Sequence, residues 1–172
     1  MGSISEVKKD LKKSLGDKFV TSASELRDVE RLPIGIYPFD FATGGGFPRG
    51  RISILWGNES CGKTNLAVKA MITNQIAEPN KMNVFLDIEG SFDKKWAEQL
   101  GLDCSDKRLA VIQPHYAEQA VNIIQSIVQA DDAGVIVLDS IGAMISINEE
   151  ESDASKMAVG GVALLVTKMV KK

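Results

Sequence analysis

A chain of 172 residues that is 44% hydrophobic and 25% charged has the composition of a folded globular domain, which excludes wholesale disorder. A net charge of −3 excludes a broadly basic nucleic-acid-binding face and leaves DNA contact only to a few loops or to a groove shared between subunits. No apolar run reaches the roughly 18 residues of a membrane span. The start of the chain does not read as a signal peptide, and Cys61 and Cys104 read as free thiols. A cytoplasmic protein with no membrane partner is the expectation.

In chain order, Ser3 and Glu6 fit a capping box that opens a short helix stopped by Gly16. Ile4, Val7, Leu11 and Leu15 form one stripe on it, with Lys8, Lys9, Lys12 and Lys13 largely turned away. The lysines read either as a solvated face or as the back of a detached helix that docks its stripe on a neighbouring subunit. So short a helix is marginal in water without such cover. A second box, Ser22 to Glu25, opens another short helix near Leu26. Residues 32–50, rich in Pro and Gly, read as loop and turn. Strands are then predicted at 52–56, 84–88, 109–112 and 135–138, alternating with helices at 63–77, 94–100, 117–130 and 157–170. That alternation predicts an α/β fold with a parallel sheet.

Between the first of these strands and the helix after it lies Gly57-Asn58-Glu59-Ser60-Cys61-Gly62-Lys63-Thr64, a full G-x-x-x-x-G-K-[ST] match. Glycines let the backbone wrap a β-phosphate, and successive N–H groups point at it. Lys63 adds a mobile positive charge near the β- and γ-phosphates, the Thr64 hydroxyl can ligate magnesium, and the helix directs its positive end at the anion. ATP with Mg²⁺ is the predicted ligand. Asp139 ends an apolar strand, where an acid faces the ligand crevice and can hold the magnesium shell through water. Asp87 and Glu89 share one face of another strand, and either could activate the water that attacks a γ-phosphate. Cys61 reads as a small residue filling a tight loop or as a redox-sensitive thiol at a helix start. His115, the single histidine, reads as a loop residue, and Trp56 and Trp96 as core.

From Leu32 onward the chain resembles the bacterial and phage RecA recombinase family. The resemblance rests on Leu32-Pro33-Ile34-Gly35 through Phe39-Asp40, Gly44-Gly45-Gly46-Phe47-Pro48-Arg49-Gly50-Arg51, the phosphate loop, Phe85-Leu86-Asp87-Ile88-Glu89, Gln113-Pro114 with Glu118-Gln119-Ala120, and Val137-Leu138-Asp139-Ser140. The loop departs at Asn58, where proline is usual, and at Cys61. The resemblance implies a RecA-like P-loop ATPase core, 32–172, with a mainly parallel sheet flanked by helices. It is preceded by an N-terminal helical oligomerisation segment, 1–31, that docks on the next protomer. It assigns the catalytic glutamate to Glu89 and places Asp93 and Trp96 against the adenine, with Trp96 standing where the family has tyrosine. Residues 149–157 align with a first DNA-contacting loop. There Glu149, Glu150, Glu151 and Asp153 oppose phosphate contact and leave Lys156 and Met157 as the DNA candidates.

The implied function is an ATP-dependent, DNA-stimulated recombination and repair protein that forms a helical homo-oligomeric filament on single-stranded DNA. A shortened, non-catalytic homologue that binds nucleotide or caps a filament remains open. A helicase-type ATPase is disfavoured by Gln113-Pro114 and by the short strand spacing. Family members continue past the position of Lys172 into a strand that lies between the phosphate-loop strand and the Asp139 strand. The C-terminal part of the core is therefore expected to be missing. Residues 1–172 alone are expected to be poorly stable and to hydrolyse little ATP.

Overall fold

The computed structural model describes residues 3–16, 20–22, 24, 26, 28–130, 132–145 and 147. Glu25, Lys156, Met157, the predicted 157–170 helix and the acidic 149–157 loop lie outside the described residues. The chain divides into two compact units, Met1–Glu30 and Arg31–Lys172.

In the first unit, helix α1 (Ile4–Leu15) starts at the predicted capping box. Ser3 Oγ accepts the Glu6 N–H at 3.3 Å, and the Glu6 carboxylate accepts the Ser3 N–H at 2.8 Å. Gly16 closes the helix by donating its N–H to the Lys12 carbonyl. None of its residues is buried, and Ile4, Val7, Leu11 and Leu15 are all exposed.

The second unit opens with strands β1 (Arg31–Leu32) and β2 (Phe47–Pro48), an antiparallel pair, with helix α2 (Tyr37–Ala42) between them. The reading of 32–50 as loop and turn is corrected here. Pro38 falls in the first turn of α2, where a missing N–H costs nothing. The Asp40 carboxylate accepts the N–H groups of Ile34 and Gly35, both at 3.0 Å, and folds the preceding loop back on the helix.

Helix α3 (Lys63–Ala77), strand β3 (Met82–Asp87), helix α4 (Lys94–Leu100), strand β4 (Leu109–Ile112), helix α5 (Ala117–Gln129) and strand β5 (Ala133–Asp139) follow. The three strands form a parallel sheet in the order β4-β3-β5. Period-two alternation sorts β3 between two cores. Phe85 packs with Val68 and Met71 of α3 and Ala97 of α4 on one face. Val84 and Leu86 pack with Ala117 and Ala120 of α5 on the other. The result is an α/β/α sandwich.

A buried amide cluster joins these layers. Asn83 Oδ1 accepts from Asn74 Nδ2 and from the Val135 N–H, both at 2.9 Å, and Asn83 Nδ2 donates to the Met71 carbonyl at 2.8 Å. The β3–β5 register shifts between Met82 and Val84, where this side chain takes a ladder N–H. Only glycine fits opposite, because a Cβ on Gly134 would lie 2.1 Å from Asn74 Nδ2.

The predicted strand at 52–56 does not form. A strand needs a ladder, and among the described residues none pairs with this segment. Ile52, Ile54 and Trp56 are 53%, 70% and 95% exposed, which also corrects the core reading of Trp56. Among the described residues no helix is long and apolar enough to cross a membrane.

Candidate nucleotide site

The C-terminal ends of β3 and β5 lie beside the start of α3, and the sequence-derived candidates gather there. Gly62 takes φ 92° at the N-cap of α3, a left-handed conformation that glycine adopts without strain. Ser60 also has positive φ, 57°, a conformation of the kind that costs a non-glycine residue about 1–3 kcal/mol and clusters at functional sites. These reversals aim the chain into the first turn of α3, which contains no acidic residue to offset its positive end. Lys63 Nζ lies over the loop and donates to the Gly57 carbonyl at 3.1 Å and the Asn58 carbonyl at 2.7 Å. Asn58, Glu59 and Cys61 are exposed. Ser60, Gly62, Lys63, Thr64 and Asn65 line an open cleft of about 200 Å³.

Thr64 Oγ1 donates to Asp139 Oδ2 at 2.7 Å, across 75 residues of sequence. A hydroxyl and a carboxylate held together are hard oxygen donors, the set that suits magnesium with its retained waters. The donor chemistry therefore fits the predicted ion, and the backbone turn beneath Lys63 fits a phosphate.

The two candidate bases separate cleanly. Asp87 is 1% exposed. Its carboxylate accepts the N–H groups of Ser91 at 3.0 Å and Phe92 at 3.1 Å, and the Gln113 amide at 3.1 Å. It shapes the loop after β3 and is spent on that task. Glu89 is exposed and accepts the Ser140 hydroxyl at 2.6 Å. Asp87 and Asp139 pair across β3 and β5, so Glu89 and Ser140 emerge together just beyond the sheet.

Asp93 caps α4 by accepting the Trp96 N–H at 3.0 Å. The indole of Trp96 is 47% exposed, which corrects its reading as core, and its Nε1 donates to Asn65 Oδ1 at 3.1 Å. His115 is an exposed loop residue. Both cysteines are free. Sequence reasoning missed Asn65 and the hydroxyl role of Ser140. Their positions directly after Thr64 and Asp139 were the available signal.

An α/β sandwich with a parallel sheet and a glycine-turn loop leading into a helix at the sheet's C-terminal end is the arrangement of a RecA-like core. A family model described as the RecA N-terminal domain matches residues 3–172. The chain is 39% identical over 154 residues to Protein RecA of Aquifex pyrophilus, covering 87% of this chain and 42% of that protein. It is 38% identical over 162 residues to Protein RecA of Thermotoga maritima, covering 92% and 42%. For Protein RecA of Mesoplasma florum the identity is 32% over 167 residues, covering 95% and 49%. The chain belongs to the RecA family, a family of recombination and repair proteins. It spans 42–49% of the length of these relatives.

Proposed function

We propose that this chain supplies the nucleotide-binding part of a cytoplasmic recombination and repair ATPase that forms filaments on single-stranded DNA and hydrolyses ATP in response to it. The observation that carries this reading is the contact between Thr64 and Asp139, beside the Glu89–Ser140 pair. In this reading Gly57, Asn58, Glu59, Ser60, Cys61 and Gly62 wrap the phosphates with backbone N–H groups. Lys63 leaves its carbonyl partners to neutralise the β- and γ-phosphates. Thr64 and Asp139 would hold Mg²⁺. A bound magnesium ion would offset charge on the phosphate oxygens. Glu89 orients and deprotonates the attacking water, with Ser140 holding one carboxylate oxygen. Asp93 and Trp96 take the base. The exposed apolar stripe of α1 docks on a second copy. Lys156 and Met157 are the proposed DNA contacts.

Lys63→Ala is expected to abolish binding of a fluorescent ATP analogue. Glu89→Gln is expected to keep binding and lose DNA-stimulated phosphate release by about 10²–10⁴-fold. Parental binding by Lys63→Ala would end the phosphate-loop assignment. Parental turnover by Glu89→Gln would remove Glu89 as the base.

A further inference from the structure

Trp96 is held once through its backbone and once through its ring. Asp93 fixes its backbone N–H at the start of α4, and Asn65 Oδ1 accepts its ring N–H at 3.1 Å from 31 residues away. An indole N–H can only donate, so the carboxamide oxygen of Asn65 must be the atom that faces it. Asn65 is also the residue after Thr64 and lines the same cleft as Lys63 and Thr64. One turn further along, Lys69 Nζ donates to the Leu100 carbonyl at 3.4 Å, so α3 and α4 are tied at both ends of α4.

We propose that Asn65 is a positioning residue that holds the Trp96 indole as one wall of a purine site and couples that wall to the phosphate-loop helix. The inference rests on the nucleotide reading above. An exposed indole free to rotate would have to be ordered each time a base stacked on it, and a pinned one is ordered already. The wider face of a purine overlaps an indole more fully than a pyrimidine does, so the pinned ring favours purine nucleoside triphosphates.

The test uses the full chain carrying Trp56→Phe. Trp56 is 95% exposed and one of two tryptophans, so this change leaves Trp96 as the sole indole without touching the core. Adding Asn65→Ala is expected to lower the anisotropy of Trp96 fluorescence before any nucleotide is present. It is expected to weaken MgATP binding, read by Trp96 quenching, by about three- to tenfold and to narrow the preference for MgATP over MgCTP. In the Trp96→Phe background, read by displacement of a fluorescent ATP analogue, Asn65→Ala should cost nothing further. Unchanged anisotropy, or an equal loss of MgATP affinity in both backgrounds, would overturn the positioning role. If Lys63→Ala still abolishes MgATP quenching, only the Asn65 inference fails. If MgATP quenches identically with and without Lys63→Ala, the nucleotide reading fails and takes this inference with it.

Discussion

Residues 52–56 and strand β3 are both apolar runs of strand length, yet they end in opposite environments. Phe85 and Leu86 of β3 are 1% and 0% exposed, whereas Ile54 and Trp56 are 70% and 95% exposed. The difference is pairing. β3 has β4 on one edge and β5 on the other, so all of its backbone groups can find partners while helices cover both faces. No described strand pairs with 52–56. Apolar content decides whether a segment can be buried; a neighbouring ladder decides whether it becomes a strand.

The largest effect expected from this contrast comes from truncating one side chain in each segment. Phe85→Ala should destabilise the chain by about 3–5 kcal/mol, the range for emptying a large core site. Ile54→Ala should stay within about 0.5 kcal/mol, as surface changes do. Urea unfolding midpoints of the two variants compare them directly. Losses of similar size would show that 52–56 is packed in solution and would erase the contrast.

Much of the sandwich was legible in the sequence because its signals are local. Gly101 marks the end of α4 and the apolar runs of β3, β4 and β5 are bounded by turns, just as the Ser3–Glu6 box and Gly16 mark the ends of α1 in the first unit. Helix α2 was not legible, because Pro38 and the glycines around it mask a short helix whose own Asp40 ties it to the preceding loop through the N–H groups of Ile34 and Gly35. The failure at 52–56 has a different origin, since strand pairing is not a property of the segment. The same division runs through the site. Glycines, Lys63 and Thr64 announce themselves by spacing, and Asp139 by its place at a strand end. The separation of Asp87 from Glu89 depends on N–H groups of the next loop and on Gln113, 26 residues away. The Asn65–Trp96 and Glu89–Ser140 contacts cross 31 and 51 residues, and no local pattern encodes them.

A smaller effect probes what joins β3 to β5. Asn83 replaces a ladder bond at the register shift, so Asn83→Ala would take the acceptor from the part-buried Val135 N–H and from the buried Asn74 amide. Leaving such a group unsatisfied costs about 1–3 kcal/mol. Destabilisation of that order is expected, with faster hydrogen exchange at Val135 than at Leu86. A neutral substitution would mean that water or a backbone shift repairs the ladder, and that the β3–β5 edge is less dependent on this amide than the contacts indicate.

The smallest effect concerns the two cysteines, one in each setting. Cys104 packs against the core shared by α3, α4 and β3, while Cys61 is exposed in the phosphate loop that follows 52–56. Burial pushes the Cys104 thiol above the ordinary range, with the nearby Glu98 and Asp103 carboxylates adding to burial and Lys94 opposing it. The sign follows from the reactive species. A raised pKa lowers the thiolate fraction at any given pH, so Cys104 reacts more slowly, and its rate keeps climbing above the roughly pH 8.5 at which an ordinary thiol is half ionised. The folded chain also retains this proton longer than the unfolded chain. Any stability gained from the shift is complete below the unfolded thiol value and fades as pH rises through the folded one. Alkylation of the single variants Cys61→Ser and Cys104→Ser across a pH series isolates each thiol. Cys61 should label several-fold faster near neutral pH, and MgATP should slow it while leaving Cys104 unchanged. Equal rates at both positions would place Cys104 in solvent and undo the packing of α4 on the sheet. Equal rates for Cys61 with and without MgATP would mean that nucleotide does not cover the loop.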